Sequence, residues 1–189
     1  MEKFTKLSKK NKSVNRKRKD ILYKDDNIEV SKYDTWSIIL GKDCAICIIH
    51  LIDLNKFIIR QEYIPTFKYV EGQEFHLACV GGQIEEGETP EEALLREIEE
   101  EAGIVIRDDF EIEFMKPLFM NKGCGVKCYP SIITLTENDY HEVKIEGDGS
   151  MIEKKSKTAL VDVKYVNSLL TSDIVTEYVL MKFKEYLNI

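Results

Sequence analysis

The sequence predicts an α/β fold. Three observations carry it: short β-rich runs divided by Asp, Asn and Gly turns between residues 21 and 80, one helix with both ends written in its residues from about Pro90 to Ala102, and a closing amphipathic helix. A chain of 189 residues suits one domain with a real core and is short for two.

The first twenty residues stand apart. Lys3, Lys6, Lys9, Lys10, Lys12, Arg16, Lys17, Arg18 and Lys19 face only Glu2 and Asp20 there, so residues 1–20 read as a basic, flexible arm and 21–189 as the folded domain. The net charge is nevertheless −7, which leaves the domain acidic. An acidic body disfavours a broad nucleic-acid surface and confines that class of partner to the arm. Within the arm, Asn15–Lys19 has the composition of a nuclear-localisation or polyanion-contacting patch. The longest apolar run, Ala45 to Ile49, is strand-sized, so no membrane span is expected. No apolar stretch follows the first charges, so the expectation is a cytoplasmic protein, nuclear if the arm is a localisation signal. Five cysteines (Cys44, Cys47, Cys79, Cys124 and Cys128) fit reduced thiols better than an exported disulfide framework. Cys44 and Cys47 lie three apart on a strand-like run and point to opposite faces, which disfavours a zinc tetrad.

In chain order, Ile21–Tyr23, Ile28–Tyr33 and Trp36–Leu40 read as short strands. Cys44–Leu51 and Lys56–Tyr63 follow as stronger ones, the second stopped by Pro65. Phe75–Val80 reads as a strand running into Gly81-Gly82. Beyond the helix, Phe110–Phe119 and Ser131–Thr136 read as strands around a loop at Asn121–Tyr129. Ala159–Val166 is a further apolar run. In the last helix Val175, Val179, Phe183 and Leu187 recur every four residues and predict its buried face.

The Pro90 helix has a local physical cause at each end. Thr89 is a natural N-cap, Pro90 sits where a missing N–H costs nothing, and Glu92 completes a Thr-x-x-Glu capping box. Gly103 supplies the left-handed stop. Helical spacing places Leu94, Leu95, Ile98 and Ala102 on an apolar stripe. Glu97, Glu100 and Glu101 converge on a neighbouring face. Like charges at that spacing repel, and a cation turns the repulsion into ligation; magnesium suits carboxylate oxygens and phosphates best, with manganese the alternative. Arg96, four residues from both Glu92 and Glu100, can hold a carboxylate in place. Gly81-Gly82 lets the backbone approach a metal or phosphates, and Gly82 to Glu88 reads as the intervening loop.

The full spacing is Gly82, five residues, Glu88, seven residues, then Arg96-Glu97-Ile98-Glu99-Glu100-Glu101-Ala102-Gly103-Ile104. It resembles the Nudix box at every specified position. The resemblance implies an α/β/α sandwich with a mixed sheet, preceded here by short N-terminal strands. It also implies water attack on a diphosphate linkage. By matching position, Gly81, Glu97, Glu100 and Glu101 are the expected metal set, with Gly81 acting through its carbonyl. Glu97, Glu100 and Arg96 are the expected catalytic residues, Glu97 the general-base candidate within the box. Glu146 and Glu153 are the downstream candidates for that base, and with Arg60 and Gly82 they make up the expected substrate contacts.

Most of the chain from Ile21 looks like the ADP-sugar pyrophosphatase branch, which implies a small nucleoside diphosphate derivative as substrate and usually a homodimer. Two departures stand out. Where that branch carries Gln-Tyr-Arg before the proline, this chain has Glu62-Tyr63-Ile64, and where it carries Glu-Leu-Pro-Ala-Gly, this chain has Ala78-Cys79-Val80-Gly81-Gly82. Arg60 is the candidate replacement for the displaced arginine. Trp36, Tyr63 and Phe67 are candidates for base stacking, with a core role the commoner one for such aromatics; His50, His76 and His141 share no metal-like spacing. Two other functions compete: processing of capped RNA gripped by the arm, and a non-catalytic nucleotide sensor.

Overall fold

The computed structural model describes residues 20–107, 110–145 and 151–189. Among them the main sheet has ten strands. A meander of β1 (Asp20–Lys24), β2 (Ile28–Tyr33) and β3 (Trp36–Gly41) leads to the centre, where β4 (Cys44–Leu51) turns into β5 (Lys56–Tyr63). Helix α1 (Pro65–Glu71) follows, then β6 (Phe75–Ala78) against β5 and β7 (Val80–Gln83) against β4. After the box helix α2 (Pro90–Glu97, continuing to Ala102) come β8 (Ile104–Ile106), β9 (Leu118–Asn121), β10 (Cys124–Leu135) and β11 (Tyr140–Glu142). The chain ends with α3 (Met151–Lys155), β12 (Lys157–Asp162) and α4 (Ile174–Leu187). The spatial order is β1-β2-β3-β10-β4-β5-β12, and β8 and β11 form a separate two-stranded ribbon.

The sheet is mixed because β10 runs parallel to β4, Cys128 opposite Cys44 through Leu135 opposite Leu51, whereas β5, β7 and β12 pair antiparallel. Strand β4 is apolar almost throughout because both its faces are covered. Ala45, Cys47, Ile49 and Leu51 pack with Leu94 and Ile98 of α2, and Ile46 and Ile48 pack with Val179, Leu180 and Phe183 of α4. This is the helix–sheet–helix sandwich. The same alternation sets the site, since Phe57 and Ile59 of β5 face α4 while Ile58 faces α2. Arg60 and Glu62, two and four residues after Ile58, therefore rise on the α2 side.

Several expectations change. The run Phe75–Val80 is two strands broken at Cys79, because β6 pairs with β5 and β7 crosses to β4. Strand β7 absorbs Gly82 and Gln83, so the box loop begins at Ile84. Of Phe110–Phe119 only Leu118 and Phe119 are strand, as the start of β9: before them Phe114 alone bridges, to Ser131, and Pro117 has no N–H to give a ladder. Nor is Asn121–Tyr129 a loop, for β9 turns tightly at Asn121–Cys124 into the long β10. The end of Ala159–Val166 leaves the sheet, with β12 stopping at Asp162 and a tight turn of 3-10 helix at Val163–Ser168. Pro65 does end β5, but it then starts α1 from the first-turn position that tolerates proline.

Candidate active site

Helix α2 is capped as its residues dictate. Thr89 Oγ1 accepts from the Glu92 amide at 3.2 Å, Glu92 Oε2 accepts from the Thr89 amide at 2.7 Å, and Gly103 closes the helix at φ 65°. The apolar stripe is in place, with Leu94 and Ile98 fully buried and Leu95 and Ala102 partly so. The last turn, Ile98–Ala102, widens into π-helix, and the Gly103 amide reaches back to both Glu99 and Ile98 carbonyls. π-turns inside helices gather at functional sites, because one extra residue re-aims the side chains around it.

Arg96 organises the acidic face. Its Nε donates to Glu88 Oε1 at 2.9 Å and Nη2 to Glu88 Oε2 at 3.2 Å and the Gln83 carbonyl at 3.1 Å. Its Nη1 donates to Glu97 Oε1 at 2.8 Å and Glu100 Oε2 at 3.1 Å. All five guanidinium N–H groups are thereby used. Glu92, the other residue four away, is occupied by the cap, and Glu88 takes its place. The Arg96 hydrogen bond is the main cause holding the Glu88 carboxyl below its ordinary range.

Glu101 is buried, 7% exposed, on the sheet side of the helix. Arg60 Nη2 lies 3.1 Å from its Oε1, and the Gly81 amide donates to Oε2 at 2.9 Å. Its backbone carbonyl accepts from Arg60 Nη1 at 3.4 Å and from Thr158 Oγ1 of β12. Burial pushes the carboxyl up to about 8; Arg60 and the Gly81 amide oppose this, and the charges of Glu97 and Glu62 add to it. A carboxylate pushed towards neutrality in this way marks a functional-site candidate.

Two glycines make room for this arrangement. Gly81 sits at φ 141°, and a Cβ there would overlap the Ala45 carbonyl of the paired strand. A Cβ on Gly82 would run into the Glu97 carboxylate. Glu101 thus holds the Gly81 amide while Glu97 lies over the Gly82 Cα, two carboxylates flanking one dipeptide.

The residues fit a hard divalent cation in kind: the donors are carboxylate and backbone oxygens, and the bare Gly82 backbone provides a recess beside Glu97. The geometry also sets a limit. Among the described residues no three acidic, His or Cys side chains converge on one point, because Arg96 holds Glu97 and Glu100 while Arg60 holds Glu101.

The structure brings together Gly81, Gly82, Arg96, Glu97, Glu100 and Glu101, and it adds Arg60 as the buried partner of Glu101. Glu146 lies outside the described residues, as does the side chain of Glu153 in α3, and the basic arm is outside them too. Sequence reasoning gave Glu62 no role as a side chain. It is half-buried, with burial pushing its carboxyl up and the field of Glu97 adding to that. The available signal was alternation, since an Arg and a Glu two apart on one face of a core strand are out of place unless used. Among the aromatics, Tyr63 is buried beneath Lys155, 4.1 Å from the ring centre, and Phe67 lies against His76 with ring centres 3.8 Å apart. Trp36 is exposed on β3. Asn121–Gly125 line a cleft of about 560 Å³ with Ile38, Leu40 and Phe119, and no box residue contributes to it.

Comparison with known proteins agrees with this geometry. Over 59 residues the chain is 48% identical to an 8-oxo-dGTP diphosphatase of Haemophilus influenzae, a match covering 29% of this chain and 43% of that protein. The chain therefore spans less than half the length of the curated relative it matches. A crystal structure of an ADP compounds hydrolase superposes with a TM-score of 0.65 at 18% identity, over 90% of this chain and 92% of the other, which shows a shared fold. Residues 45–125 match the family model described as NUDIX domain, a stretch that runs from β4 into β10 and contains the Gly81-Gly82 dipeptide and the whole of α2. The box is complete within this stretch and its helix is docked on the mixed sheet, so residues 45–125 of the chain resemble a Nudix domain.

Proposed function

We propose that the protein is a magnesium-dependent hydrolase that cleaves the diphosphate linkage of a small nucleoside diphosphate derivative, a nucleotide sugar or an ADP-ribose-like compound. The observation that carries this reading is the pair of carboxylates, Glu97 and Glu101, flanking the Gly81-Gly82 dipeptide. Such a pair, each carboxylate steadied by an arginine, gathers hard oxygen donors of the kind a divalent cation takes. Glu97, Glu100, Glu101 and the Gly81 carbonyl would hold magnesium, which would supply charge neutralisation at the diphosphate and a more acidic water. Arg96 keeps Glu97 and Glu100 at hand through the fork of its guanidinium, and Arg60 does the same for Glu101. Manganese is the alternative metal.

The same reading takes the protein as a cytoplasmic homodimer. Free cysteines throughout the described residues support a reducing compartment. Exposed apolar side chains on the N-terminal meander, Ile21, Leu22, Tyr23 and Trp36, support self-association. Light scattering behind a sizing column tests the dimer.

The activity is tested with a panel of ADP-ribose, ADP- and UDP-sugars, 8-oxo-dGTP and capped RNA, incubated with magnesium. The native protein is expected to release monophosphate products from at least one ADP or UDP compound. Chelation and Glu101→Gln are each expected to abolish the release. Equal, slow hydrolysis of every compound by native and variant protein would sink the reading.

A further inference from the structure

Glu88, Glu97 and Glu100 are gripped by Arg96, and Glu101 is gripped by Arg60 and the Gly81 amide. A proton acceptor needs a free lone pair, and carboxylates tied to guanidinium groups make poor ones. We propose that Glu62 of β5 is the carboxylate that takes the proton from the attacking water, and this rests on the diphosphate-hydrolase reading above.

Three observations support the assignment. First, strand alternation puts Glu62 on the α2 face, one inward position beyond Arg60, whose guanidinium reaches Glu101. Second, among the described residues its carboxylate has neither a hydrogen bond nor an ion pair, although the side chain is half-buried. Its ladder partner His76 offers none: the His76 Nε2 lies 4.0 Å from Glu71 instead. Third, Arg60 Nε is buried without an acceptor among the described residues, a donor on the same face that calls for an oxygen. Water is the smallest group that can accept from it. Glu62 also lies within the field of Glu97 and Glu101, and its carboxyl is raised mainly by burial, which makes it the better base near neutrality.

The step balances as follows. Water oxygen bonds to one phosphorus while its proton passes to a Glu62 oxygen. The bond from that phosphorus to the bridging oxygen breaks, and its electron pair stays on the departing phosphate. Glu62 then loses the proton to solvent. Two monophosphates leave.

The test compares native full-length protein with Glu62→Gln and Glu62→Asp, using the best compound of the panel and, separately, Mn2+ binding by electron paramagnetic resonance. Glu62→Gln is expected to lower kcat by about 100-fold or more, with KM within about threefold. Mn2+ affinity should stay within about twofold, since Glu62 is not a ligand. Glu62→Asp should recover part of kcat. Any of three results overturns the proposal: kcat within about threefold of native, a raised KM with kcat intact (a substrate grip), or Mn2+ affinity down about tenfold (a metal ligand). A native protein that turns over nothing sinks the parent reading and this one with it. An active native protein with an undiminished Glu62→Gln sinks this one alone.

Discussion

Arg60 Nη2 lies 3.1 Å from Glu101 Oε1, with the side chains only 5% and 7% exposed. The pair joins the second strand of the core to the end of the box helix, across the face where chemistry is expected. Buried pairs of this kind are weak sources of net stability but costly to break, because the survivor is left charged and desolvated. Arg60→Met should therefore destabilise the metal-free protein by about 3–5 kcal/mol in urea unfolding at a pH above about 8, where Glu101 is ionised in the folded chain. The double variant Arg60→Met with Glu101→Gln should regain most of that. An equal loss in single and double variants would show that the two side chains do not act as a pair.

The raised carboxyl of Glu101 ties stability to pH. Its ordinary value is 4.5 and burial lifts it to about 8. Between those limits the folded chain holds a proton at Glu101 that the unfolded chain has released. This contribution to stability is complete below about 4.5, falls as pH rises through the window, and is level above about 8. Unfolding of the metal-free protein followed from pH 5 to 9 should show this decline, and Glu101→Gln should flatten it. Mn2+ affinity, which requires the ionised form, should climb over the same interval.

Gly82 leaves the space that the Glu97 carboxylate occupies beside the approach to the helix. Gly82→Ala would drive a methyl group into the Glu97 carboxylate, which must leave its place over the dipeptide. The expected outcome is at least about 100-fold lower kcat and weakened Mn2+ binding, with the far-ultraviolet circular dichroism unchanged. Native-like turnover in this variant would mean that Glu97 does not need the recess.

Arg96→Lys keeps the charge and loses the fork. One ammonium cannot span Glu88, Glu97, Glu100 and the Gln83 carbonyl, which together occupy all five donors of Arg96. Mn2+ affinity should fall about 10–100-fold by calorimetry, the range seen when supporting partners of metal ligands are removed. Thr89→Ala serves as the contrast: it removes only the cap, should cost about 1 kcal/mol in thermal unfolding, and should leave Mn2+ binding alone.

The box helix was legible because its signals are local. Thr89, Pro90, Glu92 and Gly103 each act within a turn of their own position, and the structure uses each one as its chemistry dictates. Strands β2, β4 and β5 were legible too, since alternation or a continuous apolar run defines their ends. What failed was decided at long range. Cys124–Tyr129 looked like a loop for its Gly and Cys content, yet Cys128 and Tyr129 find ladder partners in Cys44 and Ala45. Phe110–Phe119 looked like a strand for its apolar content, yet most of it has no edge to pair with. In the site, spacing found the glutamates, while the choice of partner did not follow from it. Arg96 takes Glu88 from across the loop rather than Glu92 from its own helix, and Arg60 takes Glu101 from another element.

The parallel pairing of β4 with β10 has a consequence for how the protein is made. Residue 128 lies 84 positions after its ladder partner, residue 44. A growing chain therefore releases its most apolar strand long before the strand that shields one edge of it exists. Closing so large a loop is entropically slow, and an unpaired apolar edge invites pairing with another chain. Chains that stall before Leu135 should thus be sticky, and the yield of active protein should depend on temperature and on chaperones more than the stability of the finished fold suggests.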